Sequence, residues 1–415
     1  MPNKLNVTAC RLQFPGLTRE VTGRHAAFLD GPAGSQVPQR VIDAVSRYLT
    51  WTNANGGGHF RTSVLSDGLL ADVHRAVADF LGSDDPDLTV FGPNMTTLTL
   101  ALARALARTW GPGDEVLVTR LEHDANYTPW VQAAREAGAT VREVAIHASD
   151  CTLDLDDLRT KLSARTRLVA VGAASNAVGT INPVARITRW AHEAGAWVFV
   201  DAVHHAAHAA IDVTEWDCDL LTCSAYKFYG PHVGILWGRR ELLETLPAYK
   251  LRPPSDLPPE RWMTGTQNHE GLAGAMAAID YIADLGRDGG EEVRDRRPAL
   301  TEAFRRIREH ERDLAIRCIS GLLELPRVRV LGITDLERID ERAPTISFTH
   351  ATRSPSEVAL YLAERGIFVW HGNFYALPLT ETLGLEPDGM VRVGFLHYNT
   401  REEVDRLIEA VGSVH

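Results

Sequence analysis

Two residues of opposite charge stand at the ends of apolar segments that are typical of β-strands. Asp201 lies near the end of AWVFVDA (196–202), and Lys227 follows LLTCSA (220–225), 26 positions after the aspartate. Functional groups collect at the carboxyl ends of strands in open α/β sheets, so we expect both side chains in one crevice. A lysine there can form a Schiff base, and a nearby aspartate can keep a pyridine nitrogen protonated. Either residue alone would more often be an ordinary strand-end charge.

The elements that must position this pair follow an α/β pattern. Short β-branched runs alternate with helical patterns, as in domains whose helices pack on a mostly parallel sheet. Several runs are apolar throughout, which is typical of strands covered on both faces. The predicted strands are 88–92, 115–119, 139–144, 167–173, 196–202, 220–225 and 234–238. The predicted helices between them include 96–109 and 129–137.

A second candidate site lies where FGPNMTTLTL turns from strand into helix. This helix is predicted to begin near Thr96 and Thr97. A helix N-terminus binds phosphate well, because its first backbone N–H groups lack partners within the helix. A threonine that only caps the helix would leave the same pattern.

Composition limits the classes of protein to which the chain can belong. Of its 415 residues, 45% are hydrophobic and 23% are charged, with a net charge of −11. These values exclude a disordered or collagen-like chain and indicate two or three globular domains. The acidic balance argues against nucleic-acid binding, which needs a concentrated basic surface. We therefore expect no nucleic-acid partner.

The cysteines and the apolar runs bear on where the protein is located. The five cysteines form no CxxC pair and no regular framework, as expected in a reducing compartment. The N-terminus lacks the apolar region of a signal peptide. No apolar run approaches the ~20 residues of a membrane span. We expect a cytoplasmic protein without membrane contact.

The pattern changes after GRDGGEE (286–292). A long charged helix at 298–322 precedes strands near RVRVLG, TISFTH, IFVW and MVRVGF. The last helix begins with Thr400 as its cap and Glu403 three residues later, which is a capping-box pattern. The predicted divisions are an arm that joins the small domain, a large domain and a small α+β domain, at 1–29, 30–290 and 291–415.

Further segments accompany Asp201 and Lys227 in a specific order, namely LEHDANYTPW, SNAVGTINP, SAYKFYGPHVGILWG and GTQNHEG. From FLDGPAGSQVP (28–38) to HYNTREEVDRL (397–407), the chain resembles the class V aminotransferases and, among them, the cysteine desulfurase-like enzymes. The resemblance implies pyridoxal phosphate (PLP) as cofactor. It also implies fold type I, the α/β PLP-dependent transferase fold, with a mostly parallel seven-stranded sheet in the large domain.

The resemblance implies roles around the cofactor ring. Lys227 would hold PLP as a Schiff base and move the proton of the substrate Cα, while Asp201 would pair with the pyridine nitrogen. His123 would stack on the ring and assist proton transfer, and Asn176 would hydrogen-bond the phenolic oxygen. His204 stands where desulfurases usually have glutamine, and an imidazole can still donate to that oxygen.

The same resemblance implies how the phosphate is held. Thr97 and Ser224 would bind it beside Thr96 at the start of the helix, together with Tyr226, which replaces the usual histidine. Thr266 would reach the phosphate of the partner subunit. A homodimer with shared active sites is therefore implied.

The substrate end is implied by a smaller set of residues. Arg392 would clamp a carboxylate bidentately, so the substrate would be an α-amino acid. Asn55 and Gly56 stand where desulfurases often carry a His-Arg pair, which favours a roomier or less acidic substrate end, or only a loop that turns. His371 and Tyr375 are further candidate substrate contacts.

The catalytic thiol of desulfurases is missing from its expected place. These enzymes carry a loop cysteine shortly before an apolar-Pro pair, and aligning Pro378 in HGNFYALPL puts Tyr375 there. A phenol, with a pKa of about 10, is a poor nucleophile at neutral pH. We therefore expect a β-eliminating C–S lyase, with class V aminotransfer or amino-acid epimerisation as the alternative. Tyr375 would contact substrate, act as an acid, or only pack the loop.

A zinc-dependent hydrolase is a distant alternative. His204 and His208 are four residues apart, beside His205 and Asp201, and a helix there would place the two on one face. The glutamate of the HExxH motif is missing, so we expect no metal. Neither a P-loop nor a GxGxxG after a strand is present, and the retained catalytic set argues against an inactive member of the fold.

Overall fold

A seven-stranded sheet lies at the centre of the computed structural model, which describes residues 4–287 and 295–414. In spatial order its strands are β4 (Thr89–Gly92), β12 (Gly234–Gly238), β11 (Leu220–Ser224), β10 (Trp197–Asp201), β9 (Thr166–Gly172), β5 (Glu115–Thr119) and β6 (Thr140–Val144). Strand β12 runs antiparallel to its two neighbours, and the other pairs are parallel. All seven predicted strands are confirmed, and each end lies within one residue of its prediction.

A four-stranded antiparallel sheet forms near the C-terminus. In spatial order it contains β13 (Val328–Leu331), β14 (Thr345–His350), β17 (Met390–Gly394) and β16 (Trp370–Gly372). The short remaining strands are β1 (Glu20–Val21), β2 (Arg24–His25), β3 (Ala27–Phe28), β7 (Ile146–His147), β8 (Thr152–Leu153) and β15 (Ile367–Phe368).

The single strand predicted at IFVW is wrong, because the structure divides it between two sheets. Strand β15 pairs in parallel with β3, and only β16 joins the four-stranded sheet. The N-terminal segment supplies the reason. The N–H groups of Ala27 and Leu29 donate to the carbonyls of Gly366 and Phe368, so β15 finds its backbone partner outside the sheet.

The helices surround both sheets. They are α1 (Val7–Arg11), α2 (Gln39–Trp51), α3 (Arg61–Leu81), α4 (Met95–Ala107), α5 (Thr128–Ala137), α6 (Leu155–Lys161), α7 (Val184–Glu193), α8 (Val213–Trp216), α9 (Arg240–Thr245), α10 (His269–Arg287), α11 (Arg296–Leu323), α12 (Pro355–Ala363), α13 (Leu377–Thr382) and α14 (Arg401–Gly412). Helices α4, α5 and α11 confirm the predicted ones. Helix α14 has the predicted capping box, in which the side chains of Thr400 and Glu403 each accept from the other's backbone N–H. Within the described ranges, no helix combines the length and apolar character needed to cross a bilayer.

The long helix α11 contributes to two apolar cores. Its N-terminal half packs into the larger core through Phe304, and its C-terminal half packs into the smaller core through Ile319. The arm also contributes to both, with Phe14 in the larger core and Leu29 in the smaller. The division at 1–29, 30–290 and 291–415 stays a prediction. Most of GRDGGEE (286–292), where the pattern changes, lies outside the described residues.

Close packing fixes the turn that leads from β4 into α4. The side chain of Asn94 caps the helix, because its Oδ1 accepts from the N–H of Thr97 at 2.9 Å. Gly234 at the start of β12 packs against this cap, and a Cβ added there would lie 2.7 Å from the Cα of Asn94. A glycine is therefore required at 234 to bring β12 against the start of α4.

The replacement Gly234→Ala should destabilise the fold by about 1–3 kcal/mol, because the added methyl group meets backbone that cannot rotate away. Gly111→Ala is the matched control, since a Cβ at Gly111 meets no atom within 4 Å. Urea unfolding of both variants measures the difference. Equal unfolding midpoints for the two variants would contradict this account of the packing.

Candidate active site

A cavity lies at the carboxyl end of the central strands β9, β10 and β11. It contains about 590 Å³ of space free of protein atoms, including the solvent at its mouth. Eight residues predicted from the sequence line it, namely Thr96, His123, Asn176, Asp201, His204, Ser224, Tyr226 and Lys227. The other six predicted residues lie outside its lining, namely Asn55, Thr97, Thr266, His371, Tyr375 and Arg392.

Lys227 projects into this cavity from a 3₁₀ turn, Ala225–Lys227, that directly follows β11. The side chain is buried, and its Nζ donates to the carbonyl of Pro32. Burial, together with the positive charge of Arg392, lowers the pKa of the ammonium group to about 7, while Asp201 opposes the shift. A lysine amine with this pKa is partly neutral near pH 7, as a nucleophilic amine must be.

Asp201 ends β10 beside the lysine, as predicted. Its Oδ1 accepts from the N–H of Val203 at 2.9 Å. Burial raises the pKa of this carboxyl to about 6, while the Val203 hydrogen bond and the charge of Lys227 work in the opposite direction. A cationic partner inside the cavity would offset the free-energy cost of ionising this buried carboxyl, because an opposite charge favours the carboxylate.

His123 lies on the segment after β5 and has a defined tautomer. Its Nδ1 accepts from the N–H of Ala125 at 3.0 Å. Burial, together with the positive charges of Lys227 and Arg392, lowers the imidazole pKa to about 4. The ring is therefore neutral at pH 7 and carries its proton on Nε2. On one side it stacks with Tyr375, with centroids 5.4 Å apart and planes 22° apart.

Asn176 lines the cavity, but its amide donor is engaged elsewhere. The Nδ2 group donates to the carbonyl of Phe374 at 2.9 Å. The buried Oδ1 has no hydrogen-bond partner. A group in the cavity that donates a hydrogen would satisfy this oxygen, so the predicted contact to a phenolic oxygen would require that oxygen to be protonated or the amide to turn.

His204 lines the cavity and is tied to the small sheet. Its Nε2 lies 2.8 Å from Oγ1 of Thr345 on β14. Burial and the neighbouring His208 lower its pKa well below the ordinary value, so the imidazole is neutral. The predicted second contact to the cofactor stays a prediction.

The zinc alternative finds no support here. The helix that would align His204 and His208 is only a 3₁₀ turn, His205–Ala207. His208 instead pairs with Glu311, with Nδ1 and Oε2 2.8 Å apart. Across 4–287 and 295–414, no group of three or more His, Cys, Asp or Glu side chains is arranged to hold a metal ion.

The N-terminus of α4 faces the cavity on the predicted phosphate side. The hydroxyl of Ser224 accepts from the N–H of Met95 at 3.0 Å, which joins the end of β11 to the first turn of the helix. Thr96 lines the cavity, whereas the hydroxyl of Thr97 donates to Asn94 and faces a neighbouring cavity. The ring of Tyr226 stacks with His232, with centroids 5.1 Å apart.

The neighbouring cavity is also lined by Thr266, the residue predicted to reach the phosphate bound by the partner subunit. Thr266 is exposed and lines this second cavity together with Thr97. Asn55 and His371 are likewise exposed and line neither cavity. The roles predicted for these three residues stay predictions.

Arg392 is buried on β17, next to the cavity. Its Nη1 donates to the carbonyl of Asn176 at 2.8 Å, and its guanidinium lies 4.1 Å from the ring centroid of Phe374. Burial lowers its pKa to about 9, and the nearby Asp30 opposes the shift. Asp30 was not identified from the sequence as a residue of the site. The available indication was a carboxylate inside the otherwise apolar segment FLDGPAG.

Glu122 is a further buried carboxyl of the cavity wall that the pattern does not single out. It accepts from the hydroxyl of Thr119 at 2.6 Å, from the N–H of Gly172 at 3.0 Å and from the amide of Asn126 at 2.6 Å. Burial raises its pKa to about 7. Its position directly before His123 in LEHDAN is the sequence feature that could have identified it as part of the site. It holds the His123 segment against the end of β9.

The residues of the cavity fit PLP. Lys227 would supply the amine for the aldehyde, Asp201 the anionic partner of the pyridine nitrogen, and the start of α4 the donors for the phosphate. The unpartnered Oδ1 of Asn176 marks a polar position that a bound group would fill.

Comparisons with known proteins identify the family of the chain. The family model for class-V aminotransferases matches residues 27–407. A cysteine desulfurase of Dickeya dadantii is 32% identical over 420 residues, which cover 98% of this chain and 96% of that protein. A cysteine desulfurase of Enterobacter sp. is 33% identical over 429 residues, which cover 99% and 98%.

Solved structures are similar over the same extent. An apo cysteine desulfurase from Thermococcus onnurineus has a TM-score of 0.87 and 28% identity, covering 99% of this chain and 98% of that one. A cysteine desulfurase from Escherichia coli has a TM-score of 0.84 and 28% identity, with the same coverage. The chain therefore belongs to the class-V aminotransferase family, has fold type I, and is a cysteine desulfurase-like enzyme that depends on pyridoxal phosphate.

Proposed function

We propose that this enzyme cleaves a C–S bond of an α-amino acid by β-elimination and forms no protein persulfide. The observation that carries the proposal is the position of Tyr375. It lies over His123 on the segment beside the cavity, where the resemblance to desulfurases would place a nucleophilic cysteine. A phenol does not carry sulfane sulfur, so sulfur would have to leave as a thiol.

The positions of the five cysteines support this proposal. All five are buried, and none of them is among the described residues that line the cavity. Cys151 is 1% exposed in the turn between β7 and β8, and burial raises its thiol pKa to about 11. Cys223 precedes Ser224 on β11, so its side chain points to the opposite face of the strand. Burial raises its pKa well above the ordinary value.

The acid–base groups of the site suit an elimination. Bound PLP withdraws electrons from the substrate Cα, which allows the Cα proton to leave. The amine of Lys227, with its pKa lowered to about 7, would take that proton. His123 would present its Nε2–H to the departing sulfur, because its Nδ1 is held by the N–H of Ala125.

The balance of the reaction follows from these roles. The Cβ–S bond breaks, the sulfur leaves as a thiol, and the Cα proton is transferred to the enzyme. The released unsaturated amine takes up water and gives a keto acid and ammonia. No oxidant or reductant is needed, and no thiol of the protein takes part.

We also propose a cytoplasmic homodimer in which Thr266 completes the partner's active site. Several large apolar side chains of α2, α3 and the loop between them are exposed, as expected of a surface that another subunit covers. They are Ile42, Leu49, Trp51, Phe60, Val64 and Leu65, with exposed fractions of 43–74%. Thr266 is exposed as well, so its hydroxyl is free to reach another chain.

The first prediction from the proposed function concerns the lysine that would hold the cofactor. Borohydride reduction of the yellow holoenzyme, followed by peptide mass mapping, should place the mass of reduced PLP on Lys227. Lys227→Ala should abolish this label and lower kcat by at least about a thousandfold, since the proton acceptor is lost. Lys161→Ala, which removes a lysine paired with Asp157, is the control and should keep the label. Label on another residue would end the proposal for Lys227.

The second prediction concerns the products. Incubation with cysteine and with S-substituted cysteines should give pyruvate and ammonia in equal amounts, with little alanine. Mass spectrometry should find no persulfide on the protein. Stoichiometric alanine together with a persulfide on Cys10, Cys151, Cys218, Cys223 or Cys318 would refute the proposal. A keto acid formed without release of thiol would instead indicate aminotransfer.

The third prediction concerns the shared site. Thr266→Ala should weaken PLP binding, and mixing it with Lys227→Ala should restore one complete site in each mixed dimer. In that dimer, the protomer with an intact Lys227 receives an intact Thr266 from its partner. Fluorescence titration with PLP measures the recovery, and each variant alone is the control. If mixing restores nothing although mixed dimers form, Thr266 does not act across the interface.

A further inference from the structure

Three aromatic side chains lie on one short segment beside Arg392. We call residues 370–376, WHGNFYA, the aromatic segment; it contains β16 and the turn that follows it. It contains Trp370, Phe374 and Tyr375, and it contains no Asp, Glu, Lys or Arg. The segment therefore offers ring faces, and no charged side chain, to a ligand held at Arg392.

Trp370 is the direct cross-strand neighbour of Arg392. The two residues are paired in the antiparallel register of β16 and β17. Paired residues of antiparallel strands place their side chains on the same face, with Cβ atoms about 4.5–5.5 Å apart. Trp370 is 51% exposed, so part of its indole remains available for contact.

Phe374 covers the guanidinium of Arg392. The Arg392 Cζ lies 4.1 Å from the ring centroid, which is a cation–π contact. The carbonyl of Phe374 accepts from the amide of Asn176 in the cavity wall at 2.9 Å. Through Phe374 alone, the aromatic segment therefore contacts both the cavity wall and Arg392, the candidate carboxylate-binding residue.

Tyr375 extends this aromatic wall to His123. Its ring stacks with the imidazole and is 70% exposed, and its carbonyl accepts from the N–H of Asp124 at 2.6 Å. Phe374 and Tyr375 have consecutive φ values of 56° and 59° in the left-handed region. That conformation costs free energy in residues other than glycine, so the hydrogen bonds to the cavity wall must hold it.

We infer that the enzyme acts on amino acids with an aromatic or bulky apolar group on the side chain, such as an S-benzyl or S-aryl cysteine. The inference deepens the proposed elimination and rests on it. A substrate whose carboxylate binds Arg392 places its side chain beside Trp370 and Phe374. An aromatic group there gains contact with two rings, whereas a charged group finds no partner on the aromatic segment. Elimination from S-benzylcysteine would give phenylmethanethiol, pyruvate and ammonia, with one water consumed.

Binding of amino acids that have no leaving group tests the substrate class alone. Changes in cofactor absorbance of the holoenzyme on titration give dissociation constants for phenylalanine and alanine. We expect phenylalanine to bind about tenfold more tightly, the value of one or two aromatic contacts. Trp370→Ala and Phe374→Leu should each bring this ratio towards one, and Trp370→Phe should keep it.

The ratio of the two dissociation constants distinguishes a change in specificity from damage to the fold, because a damaged fold weakens the binding of both ligands alike. A ratio near one in the wild-type enzyme would overturn the inference, as would a ratio that neither Trp370→Ala nor Phe374→Leu changes. Release of thiol and pyruvate from S-benzylcysteine is measured separately. If phenylalanine is preferred and no thiol is released, the substrate class stands and the proposed elimination fails.

Discussion

Burial of the Lys227 amine is the constraint on which the rest of the site depends. Removing an ammonium from water costs several kcal/mol, so the group must be neutral, paired or hydrogen-bonded. Here the amine is partly neutral, since its pKa is lowered to about 7, and it donates a hydrogen bond to the carbonyl of Pro32, while Asp201 ends the neighbouring strand. The parallel arrangement of β10 and β11 creates this situation, because it brings the two strand ends to the same edge of the sheet.

The C-terminal part of the chain, which contains the second sheet, holds the loop that follows β9 in place. Three consecutive carbonyls, at 176–178, accept hydrogen bonds from Arg392, Ser347 and Arg342 of the C-terminal part of the chain. Buried carbonyls of a loop need such partners, since water cannot reach them. The contacts that satisfy this loop also hold Arg392 next to the cavity. The proposed recognition of a carboxylate and the attachment of this loop to the second sheet would thus use the same side chain, Arg392.

Local sequence patterns were sufficient to predict much of the fold. The strands of the large sheet could be predicted because each is a short apolar run, and the cap of α14 because Thr400 and Glu403 have the spacing of a capping box. The strand at IFVW could not be placed, because its partner is the distant segment at Ala27–Phe28. Pairing between segments far apart in sequence depends on the path of the whole chain, which periodicity does not encode.

The sequence alone determined which reactive groups the site can contain: a lysine and an aspartate at strand ends, a histidine in LEHDAN, and no cysteine after residue 318. The tertiary structure alone decided their states and directions. It turned the donor of Asn176 towards Phe374, fixed the proton of His123 on Nε2, and set Trp370 beside Arg392. These properties depend on burial and on distances of a few ångströms between remote segments, and residue types and spacing do not specify such distances.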